Sequence, residues 1–371
     1  VLDYVMNHVH ETSSLWQTHP DWFWPRWFSG RDCVCGQQCS WDAEPDRLRC
    51  WFMPYLPDFD FGNPAARQAS VQNALQWITD LEIDGYRLDA VKHIDPAWLA
   101  DLRAGINQLG LPRQFYLVGE TFTDDRQLLR AYVDPATKLD GQFDFPLRAA
   151  LVRTILRREG SLRELESFVA GNVGFYGPSA VMGTFLGNHD LPRAIHLAED
   201  PPQFGAWDSG KARAWYDRPR QPTAAAPYQR LAVAFAALLT LPGLPLIYYG
   251  DEVGLAGGGD PDNRRPMPWS GISVPQQQLL QTVGKLVAIR RGHPALSRGT
   301  PQQLWLGDDV LAYRMRHGAD ELVVVLNRSD SDQPIQLPAG SYTDLLRGAT
   351  FSASLTAPAR TALILGRGSI P

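Results

Sequence analysis

Three carboxylates stand at the ends of short apolar segments that are typical of buried β-strands. Asp89, Glu120 and Asp190 each follow such a segment, and the carboxyl ends of parallel strands meet at one edge of a sheet. Carboxyl groups gathered in this way can serve as a nucleophile, a general acid or a general base. The spacing therefore predicts a catalytic site that is built from acids at one edge of a sheet.

The segment that ends at Asp89 carries its charges on one face. Tyr86 and Leu88 alternate with Arg87 and Asp89, as expected of a strand over residues 83–90. Helical patterns before and after this strand indicate a parallel sheet covered on both sides, where a charged row usually lines a site. The alternative is that Arg87 and Asp89 pair only with each other, as buried charges tend to do.

Strands and helices alternate along most of the sequence. Strand-like segments cover residues 1–6, 83–90, 115–118, 141–145, 183–187 and 244–249. Helical spacing of apolar residues follows Asn63-Pro64 and Asp95-Pro96 and covers 147–157, 231–241 and 276–291. Because polar residues follow the strands, this order predicts a (β/α) barrel. A doubly wound open sheet is the rival architecture, but no glycine-rich phosphate loop follows the first strand.

Composition argues against two classes of partner. The chain has 371 residues, a formal net charge of −5 and no basic stripe, so no nucleic acid partner is expected. The apolar run 231–249 is broken by Pro242, Gly243 and Pro245, which predicts a helix, a turn and a strand rather than a membrane span. The protein is therefore expected to act without a membrane, as a monomer.

Residues 9–62 form an insertion without helical periodicity, and it contains all four cysteines. Cys33, Cys35, Cys39 and Cys50 permit two disulfides in one of three connectivities, with Cys33–Cys35 the least expected pair. A four-thiolate zinc site is the rival, although the usual paired spacing of zinc ligands is absent. Disulfides are favoured, which predicts an oxidising compartment and hence a secreted or periplasmic protein.

Six tryptophans of the same insertion are expected to form its small core. One or two of the rings could lie exposed as platforms for sugar. The six are Trp16, Trp22, Trp24, Trp27, Trp41 and Trp51.

The pattern changes near residue 299 to short β-type segments with turns between them. This predicts a C-terminal antiparallel β-sandwich over 299–371, with packing as its expected role and sugar binding as the alternative. The barrel, including the insertion 9–62, is then expected to occupy residues 1–295.

Seven short motifs occur in a fixed order along residues 1–295. They are Asp3-Tyr-Val-Met-Asn-His8, Leu56-Pro-Asp-Phe-Asp60, Gly85-Tyr-Arg-Leu-Asp-Ala-Val-Lys-His93, Gly119-Glu120, Phe185-Leu-Gly-Asn-His-Asp190, Tyr248-Tyr-Gly-Asp-Glu252 and Asp260-Pro-Asp-Asn-Arg264. Each motif alone is weak, but the ordered set is specific, and it resembles the α-amylase family of glycoside hydrolases. The resemblance implies a (β/α)8 barrel with an additional C-terminal domain.

The resemblance also implies a retaining mechanism with three acids. Asp89 would be the nucleophile, Glu120 the general acid/base, and Asp190 the carboxylate that stabilises an oxocarbenium-like sugar. Retention needs two carboxyl groups about 5 Å apart, one ionised and one protonated. Arg87 is expected to hold Asp89 ionised by opposite charge. Glu120 has no cation adjacent in sequence, so it is expected to keep its proton more readily.

Four further residues are expected, from the same resemblance, to contact substrate. His8 and His189 would hydrogen-bond to sugar hydroxyls. Lys92 and His93 match a form seen in α-glucan-cleaving amylases and related transferases, where these side chains line the leaving-group side. This form favours an oligomeric α-1,4-glucan over a disaccharide.

Calcium is the one metal that the resemblance suggests, and no organic cofactor is expected. Asn7, Asp58 and the carbonyl of His93 match positions that hold calcium in many relatives, and oxygen ligands suit that ion. The insertion departs from the longer calcium-binding forms, which leaves the presence of the ion open.

The sequence thus predicts a retaining glycoside hydrolase that cleaves α-1,4-glucosidic bonds in starch or malto-oligosaccharides through a covalent glycosyl-enzyme intermediate. An α-glucan transglycosylase of the same family is one alternative, because only the group that attacks the intermediate differs. A non-catalytic carbohydrate-binding or interaction relative is the other. The intact set of three acids argues for catalysis.

The number of strands gives a last expectation. Six βα units are counted where the family has eight, and the segment Asp3 to His8 matches the third strand of that family's barrel. The chain is therefore expected to lack its first two βα units. Because only closure removes the edges of a barrel sheet, residues 1–371 alone are expected to be unstable and nearly inactive.

Overall fold

The computed structural model of the protein describes residues 1–172 and 174–367. These residues form two compact units. The first contains Val1–Phe145 and Tyr176–Gly183, and the second contains the described residues of Pro146–Phe175 and of Thr184 onward. The predicted domain division between residues 295 and 299 is a different one and stays a prediction.

A parallel four-stranded sheet is the centre of the first unit. Its strands are β1 (Leu2–Tyr4), β2 (Gly85–Leu88), β3 (Tyr116–Gly119) and β4 (Gly141–Gln142), in that spatial order. A parallel bridge between Phe143 and Gly183 continues the pairing beyond β4. At Gly85 a Cβ atom would collide with the Tyr116 carbonyl oxygen, so only glycine permits this approach of β2 and β3. Strands β1, β2 and β4 lie within longer segments that the sequence predicts, whereas β3 is shifted by one residue from the predicted segment 115–118.

Two helices of the first unit begin where the sequence predicts. Helix α1 (Pro64–Leu81) starts after Asn63, whose side chain accepts a hydrogen bond from the Ala65 amide. Helix α2 (Pro96–Gln108) starts after Asp95, which caps it in the same way. A proline follows each cap and needs no hydrogen-bond partner for its nitrogen. Helix α3 (Arg126–Ala131) is shorter.

The core of the first unit lies between these helices and the sheet. Ile78 of α1 and Leu102 of α2 pack in one buried cluster with Leu88 and Leu117 of the strands. Full burial of such a side chain contributes about 1.5–3 kcal/mol. The cluster therefore fixes β2 and β3. Asp89 directly follows β2, and Glu120 directly follows β3.

The insertion contains only short elements, as its lack of periodicity predicts. They are a helix at Ser14–Thr18, a 3-10 turn at Pro20–Trp22, a hairpin of Trp27–Phe28 with Arg31–Asp32, and a helix at Asp46–Arg49. Trp51 is buried and Trp27 is 68% exposed. The other four tryptophans are half-buried, which agrees with a small aromatic core that leaves one ring in solvent.

Only one of the two predicted disulfides is present. Cys33 is bonded to Cys50, whereas Cys35 and Cys39 are buried free thiols. The two thiols contact different carbonyl oxygens, that of Cys50 for Cys35 and that of Asp32 for Cys39. The expectation that all four cysteines are oxidised is wrong, and the secreted or periplasmic location stays a prediction.

The second unit combines helices with a strand pair and a large sheet. Its helices are α4 (Phe145–Leu151), which continues as a π-helix over Val152–Leu156, α5 (Leu162–Asn172), α6 (Ala225–Thr240), α7 (Val274–Gly292) and α8 (Pro294–Arg298). Strands β5 (Gly183–Phe185) and β6 (Leu244–Leu246) pair with each other. No helix among the described residues is long and apolar enough to cross a membrane.

The C-terminal strands form one antiparallel sheet. They are β7 (Thr300–Leu306), β8 (Val310–His317), β9 (Asp320–Asn327), β10 (Gln333–Asp344), β11 (Thr350–Ala357) and β12 (Thr361–Arg367), in the order β11-β10-β12-β9-β8-β7. One face of this sheet packs in a cluster with helix α6, and the other face encloses a core of its own. The predicted sandwich is therefore built from a single hydrogen-bonded sheet that curls around its inner core.

Short 3-10 segments connect several of these elements. They are Val91–His93, Ala194–Leu197, Lys211–Arg213, Asp251–Val253 and Asp262–Arg264.

Candidate active site

Arg87 joins the two acids that follow β2 and β3. Its Nη1 atom lies 2.6 Å from Asp89 Oδ1, and its Nη2 atom lies 2.5 Å from Glu120 Oε2. Nη1 also donates to Asp3 Oδ1 at 2.8 Å. The expectation that Arg87 pairs with Asp89 is confirmed, but the alternative that the two pair only with each other is wrong. Glu120 was expected to keep its proton because no cation is adjacent to it in sequence, but the strand register brings Arg87 to it. That it keeps its proton stays a prediction.

Backbone hydrogen bonds fix the positions of both acids. The Asp89 amide donates to the Tyr4 carbonyl oxygen at 3.0 Å. The Glu120 amide donates to the Leu88 carbonyl oxygen, and the Val91 amide donates to the Glu120 carbonyl oxygen, each at 2.8 Å. These bonds extend the parallel ladder by one residue past the strand ends. The two carboxylates therefore stand side by side on neighbouring strands.

Ala90, directly after Asp89, has a left-handed backbone conformation with φ of +50°. A residue with a Cβ atom seldom adopts this region, at a cost of about 1–3 kcal/mol. The turn lets the chain leave β2 abruptly and enter the 3-10 segment Val91–His93. Strain of this kind next to a candidate nucleophile is a common feature of functional sites.

The side chains of Asp89, Glu120 and Arg87 are only partly shielded from solvent. Their exposed fractions are 22%, 12% and 12%. Two carboxylates that share one guanidinium lie close together, as a retaining glycosidase with about 5–5.5 Å between its carboxyl groups requires. The arrangement can provide a nucleophile and a proton donor that a ligand could reach.

His8 lies near the same acids. Its ring stacks on Phe52 with centroids 4.9 Å apart, and its Nδ1 is 3.3 Å from the Asn7 side-chain nitrogen. Burial lowers the pKa of His8, while the negative charge of Asp89 opposes that shift. The lowered pKa favours the neutral imidazole, which can both donate and accept a hydrogen bond.

Lys92 is buried and already paired. Its ammonium lies 2.6 Å from Asp42 Oδ1 and donates to the Phe122 carbonyl oxygen at 3.1 Å. The Lys92 carbonyl oxygen accepts a hydrogen bond from Arg47. Contact of Lys92 with substrate would require the ion pair with Asp42 to open, so that role stays a prediction.

His93 is also buried, with 4% of its surface exposed. Its Nδ1 is 2.8 Å from the Arg47 carbonyl oxygen, which can only accept, so Nδ1 carries the hydrogen. The rings of Trp41 and Phe52 contact it edge to face. Burial, followed by the positive charge of Lys92, lowers the pKa of His93 to about 3. The structure thus gives His93 a supporting position, and direct substrate contact stays a prediction.

Asp190 and His189 follow β5 in the second unit. His189 Nε2 lies 3.3 Å from Asp190 Oδ2, and the Asp190 amide donates to the Asn188 side chain at 3.0 Å. Both side chains are partly exposed, at 35% for His189 and 50% for Asp190. Both groups could therefore meet a ligand from solvent.

The loop that carries Asp190 is held by Asn263. The Asn263 amide group donates to the carbonyl oxygens of His189 at 2.7 Å and Leu191 at 2.9 Å, the residues on either side of Asp190. Asn263 is fully buried. It belongs to the motif Asp260–Arg264, so the sequence contained a signal for it, but no role could be assigned from spacing.

A buried ion pair lies further along the same loop. Arg193 Nη1 is 3.1 Å from Asp251 Oδ1, and its guanidinium lies 4.2 Å from the ring centroid of Tyr248. Burial raises the pKa of Asp251 to about 6, although Arg193 opposes the shift. The pair ties the residues after Asp190 to the segment that follows β6.

The three residues expected at a calcium site are all buried. Asn7 donates to Asp58 Oδ2 at 2.8 Å, and the Phe52 amide donates to Asp58 Oδ1 at 2.8 Å. No salt bridge to Asp58 occurs within residues 1–172 and 174–367, and burial raises the pKa of this carboxyl well above its ordinary value. A buried carboxylate without a cation fits a site for a divalent ion with oxygen ligands.

Sequence reasoning missed Asp3, Asp42 and Arg47 as parts of the site. Asp3 stands in the first motif and contacts Arg87, so its spacing was available as a signal. Asp42 and Arg47 lie in the irregular insertion, and no periodicity relates them to Lys92. Only the folded chain reveals that contact.

Comparison with known proteins identifies the fold family. The sequence model described as "Alpha amylase, catalytic domain" matches residues 1–299. The chain belongs to the α-amylase family. Its (β/α) barrel fold class is thereby confirmed, whereas the predicted absence of two βα units stays a prediction.

Characterised relatives of this α-amylase family chain include several enzyme types. It is 29% identical over 303 residues to a beta/alpha-amylase of Paenibacillus polymyxa, covering 81% of this chain and 22% of the relative. It is 27% identical over 310 residues to a cyclomaltodextrinase of Geobacillus thermopakistaniensis, covering 81% and 47%. A cyclomaltodextrin glucanotransferase of Bacillus sp. (strain 6.6.3) is 29% identical, with 81% and 38% covered. The chain thus spans less than half of the length of each of these relatives.

Solved structures resemble the chain over its whole length. The α-amylase from Geobacillus thermoleovorans, complexed with acarbose, has a TM-score of 0.82 and 26% identity, covering 100% of this chain and 77% of that one. An α-amylase from Anoxybacillus has a TM-score of 0.79 and 26% identity, with 100% and 76% covered.

Proposed function

We propose that the protein is a retaining glycoside hydrolase that cleaves α-1,4-glucosidic bonds in starch or malto-oligosaccharides. The observation that carries the proposal is the pair of carboxylates, Asp89 and Glu120, that share the guanidinium of Arg87 at 2.6 and 2.5 Å. The pair lies at the carboxyl ends of two parallel strands, where barrel enzymes carry their catalytic groups. Membership of the α-amylase family supports the proposed substrate class.

In the first step, the Asp89 carboxylate attacks the anomeric carbon. Glu120 gives its proton to the glycosidic oxygen as the bond between that oxygen and the anomeric carbon breaks. The products are a glycosyl ester on Asp89 and a sugar with a free hydroxyl. A water molecule then attacks the same carbon and gives a proton to Glu120, which restores both carboxyl groups.

Three further side chains have supporting roles in this proposal. Arg87 keeps Asp89 ionised and holds both acids in place. Asp190 stabilises the positive charge that develops on the sugar ring, as the family resemblance implies. His8, with its lowered pKa, hydrogen-bonds to a sugar hydroxyl as a neutral ring.

Trapping the intermediate tests the assignment of the nucleophile. A slow 2-fluoroglycosyl donor is expected to label Asp89, and Asp89→Asn is expected to abolish turnover while substrate still binds. Asp84→Asn is a matched control, because Asp84 precedes the same strand at its opposite end and pairs with Arg113. A label on any other residue, or nearly full activity of Asp89→Asn, would contradict the proposal.

Transglycosylation is a second candidate, favoured by the similarity to cyclomaltodextrin glucanotransferases. The two activities differ in whether water or a sugar hydroxyl attacks the ester on Asp89. Analysis of products from maltoheptaose distinguishes them, since transfer gives cyclic or longer glucans and hydrolysis gives only shorter ones. If neither product forms and maltoheptaose still binds, the chain is a non-catalytic binding relative.

We also propose calcium as a structural ion at Asp58, Asn7 and the carbonyl of His93. The uncompensated charge of the buried Asp58 carboxylate supports the proposal. When bound, the ion would neutralise that charge and connect three separate segments of the first unit. No catalytic step involves it.

A further inference from the structure

The four cysteines of the insertion converge in a cluster of their own. All four are buried and pack together, with Phe28 and Trp41 against them. The sulfur atoms of Cys33, Cys39 and Cys50 lie within 4.8 Å of one another. Among the described residues, no other group of three or more histidine, cysteine, aspartate or glutamate side chains has its ligand atoms close enough to hold a metal ion.

The backbone around the cysteines is ordered by hydrogen bonds. The Cys35 amide donates to the Trp51 carbonyl oxygen at 3.0 Å, and the Trp51 amide donates to the Cys33 carbonyl oxygen at 2.8 Å. The Gly36 amide donates to the Cys39 carbonyl oxygen at 3.0 Å, which closes a tight loop. Gly36 has φ of +77°, a conformation that suits glycine. These bonds hold the backbones of Cys33, Cys35 and Cys39 in place in addition to the Cys33–Cys50 disulfide.

The two free thiols have low reactivity while the Cys33–Cys50 disulfide is present. Burial raises the pKa of Cys35 to about 12 and also raises the pKa of Cys39. Both thiols stay protonated at neutral pH, so neither attacks the neighbouring disulfide readily. The hydrogen bond from the Cys39 thiol to the Asp32 carbonyl oxygen is long, with 3.6 Å between sulfur and oxygen. A metal ion would therefore replace a weak contact at this sulfur.

We propose that Cys33, Cys35, Cys39 and Cys50 form a structural zinc site when the Cys33–Cys50 disulfide is reduced. In a tetrahedral site with Zn–S bonds near 2.3 Å, the sulfurs lie about 3.8 Å apart. The sulfurs of Cys33, Cys39 and Cys50, within 4.8 Å of one another, need to move by only about 1 Å. Cys35 supplies the fourth ligand, since its thiol already contacts the Cys50 carbonyl oxygen at 3.6 Å.

The conversion needs a reductant, for which a small dithiol is sufficient. The dithiol gives two electrons and two protons to the Cys33–Cys50 disulfide and itself becomes a cyclic disulfide. The four cysteine thiols then lose four protons to solvent as they bind one Zn²⁺ through their sulfurs. Four thiolates leave no open coordination position, so the ion has a structural and not a catalytic role.

The site would stabilise the part of the insertion that contacts the candidate active site. Between Cys39 and Cys50 lie Asp42, which pairs with Lys92, and Arg47, whose backbone oxygen binds His93. A zinc ion and the disulfide are thus two ways to close the same segment. Which of them is present depends on the redox state of the surroundings.

Metal analysis of the reduced protein tests the proposal. The full chain is reduced with a dithiol, mixed with zinc and freed of excess metal. Its zinc content is then measured by elemental mass spectrometry. One zinc per chain is expected, and Co²⁺ in its place is expected to give the visible absorption bands of a tetrahedral thiolate site. Zinc is also expected to protect all four cysteines from alkylation by a maleimide.

Two variants separate the zinc site from the disulfide. Cys35→Ser and Cys39→Ser leave Cys33 and Cys50 free to form their disulfide, yet each is expected to lose stoichiometric zinc binding. Gln37→Ser changes an exposed residue of the same loop and is expected to bind zinc like the original chain. The proposal is overturned if the reduced chain binds no zinc, or if Cys39→Ser binds as much as Gln37→Ser. If the serine variants do not fold, maleimide protection in the unaltered chain still decides the question.

Discussion

Asp89 and Glu120 share one guanidinium, so the loss of Arg87 affects both acids at once. Arg87→Gln removes the positive charge that lies 2.6 Å from Asp89 and 2.5 Å from Glu120. We expect kcat/KM on a chromogenic maltoside to fall roughly 10²- to 10⁴-fold, the range for loss of a working acid–base pair.

The control for this change is an arginine that precedes β3. Arg113→Gln removes an arginine that pairs with Asp84, at the opposite end of β2. Its kcat/KM should stay near that of the original protein, and both variants should unfold at similar temperatures. Activity of Arg87→Gln equal to that of Arg113→Gln would mean that Arg87 has no part in catalysis.

His93 gives the stability of the protein a dependence on pH. Its pKa is about 3 in the folded chain and near 6.5 when unfolded, so the unfolded chain binds more protons between these values. The free energy of unfolding should therefore fall as pH drops from 6.5 toward 3, by up to about 1.4 kcal/mol per pH unit from this group. In His93→Asn, urea unfolding across this range should show a flatter profile.

His10→Asn is the matched control for that profile, because His10 is exposed and its side chain contacts nearby Thr12 and the ring of Tyr55. It should reproduce the slope of the original protein. Equal slopes for His93→Asn and His10→Asn would show that another group dominates this range.

At the residue scale, the sequence predicted which side chains share a strand face better than it predicted which side chains from different segments contact each other. Alternation placed Arg87 beside Asp89, since both face the same side of one strand. Contact between Arg87 and Glu120 depends on the register of two strands, which no local pattern encodes. The pairing of Lys92 with Asp42 was equally invisible, because it joins an irregular insertion to a 3-10 segment.

At the scale of elements, the loop after β5 depends on one side chain. Asn263 donates to the carbonyl oxygens on both sides of Asp190. Asn263→Asp replaces this donor by an acceptor that repels both oxygens, so the loop should shift. We expect kcat to fall more than tenfold, in addition to a stability loss of roughly 1–3 kcal/mol.

Asn327 offers a control with the same chemistry elsewhere in the fold. It is fully buried and donates to three carbonyl oxygens, those of Ser331, Ala357 and Pro358. Asn327→Asp should lose comparable stability in urea unfolding but keep its kcat. A parallel fall of kcat in both variants would assign the effect of Asn263→Asp to general destabilisation.

Elements with strong local signals were predictable, and those without were not. Helices α1 and α2 begin at Asn63 and Asp95 because caps and prolines are local signals. Strand β11 has a weaker local signal, because it lies at the edge of its sheet and its less exposed face alternates Phe351 and Leu355 with the small residues Ala353 and Ala357. The π-helix after α4 also lacks a sequence signal.

For the whole molecule, the uncompensated charge of Asp58 links stability to calcium. Without the ion, the pKa of Asp58 is higher in the folded chain than in the unfolded chain. The free energy of unfolding therefore falls as the pH rises from the unfolded pKa through the folded pKa, because ionisation favours the unfolded chain. Asp58→Asn removes the charge and should melt at least as high as the original protein in a chelator at pH 7. Added calcium should raise the melting temperature of the original protein but not that of Asp58→Asn.

A paired acid provides the comparison for Asp58. Asp140 is also buried, but Arg103 lies 2.8 Å from it. Asp140→Asn should lower the melting temperature and leave the response to calcium intact. If calcium changes the melting temperature of none of the three proteins, the proposed ion site is wrong.

The left-handed turn at Ala90 restricts which sequences this chain can explore. Glycine reaches φ of +50° without strain, whereas a β-branched residue cannot occupy it beside a parallel strand. In a library with every substitution at this position, glycine should survive selection for folding as well as alanine or better, and valine and isoleucine should disappear. Position 90, directly after the candidate nucleophile, is therefore expected to tolerate few substitutions. Its side chain is nevertheless a single methyl group that takes no part in the chemistry.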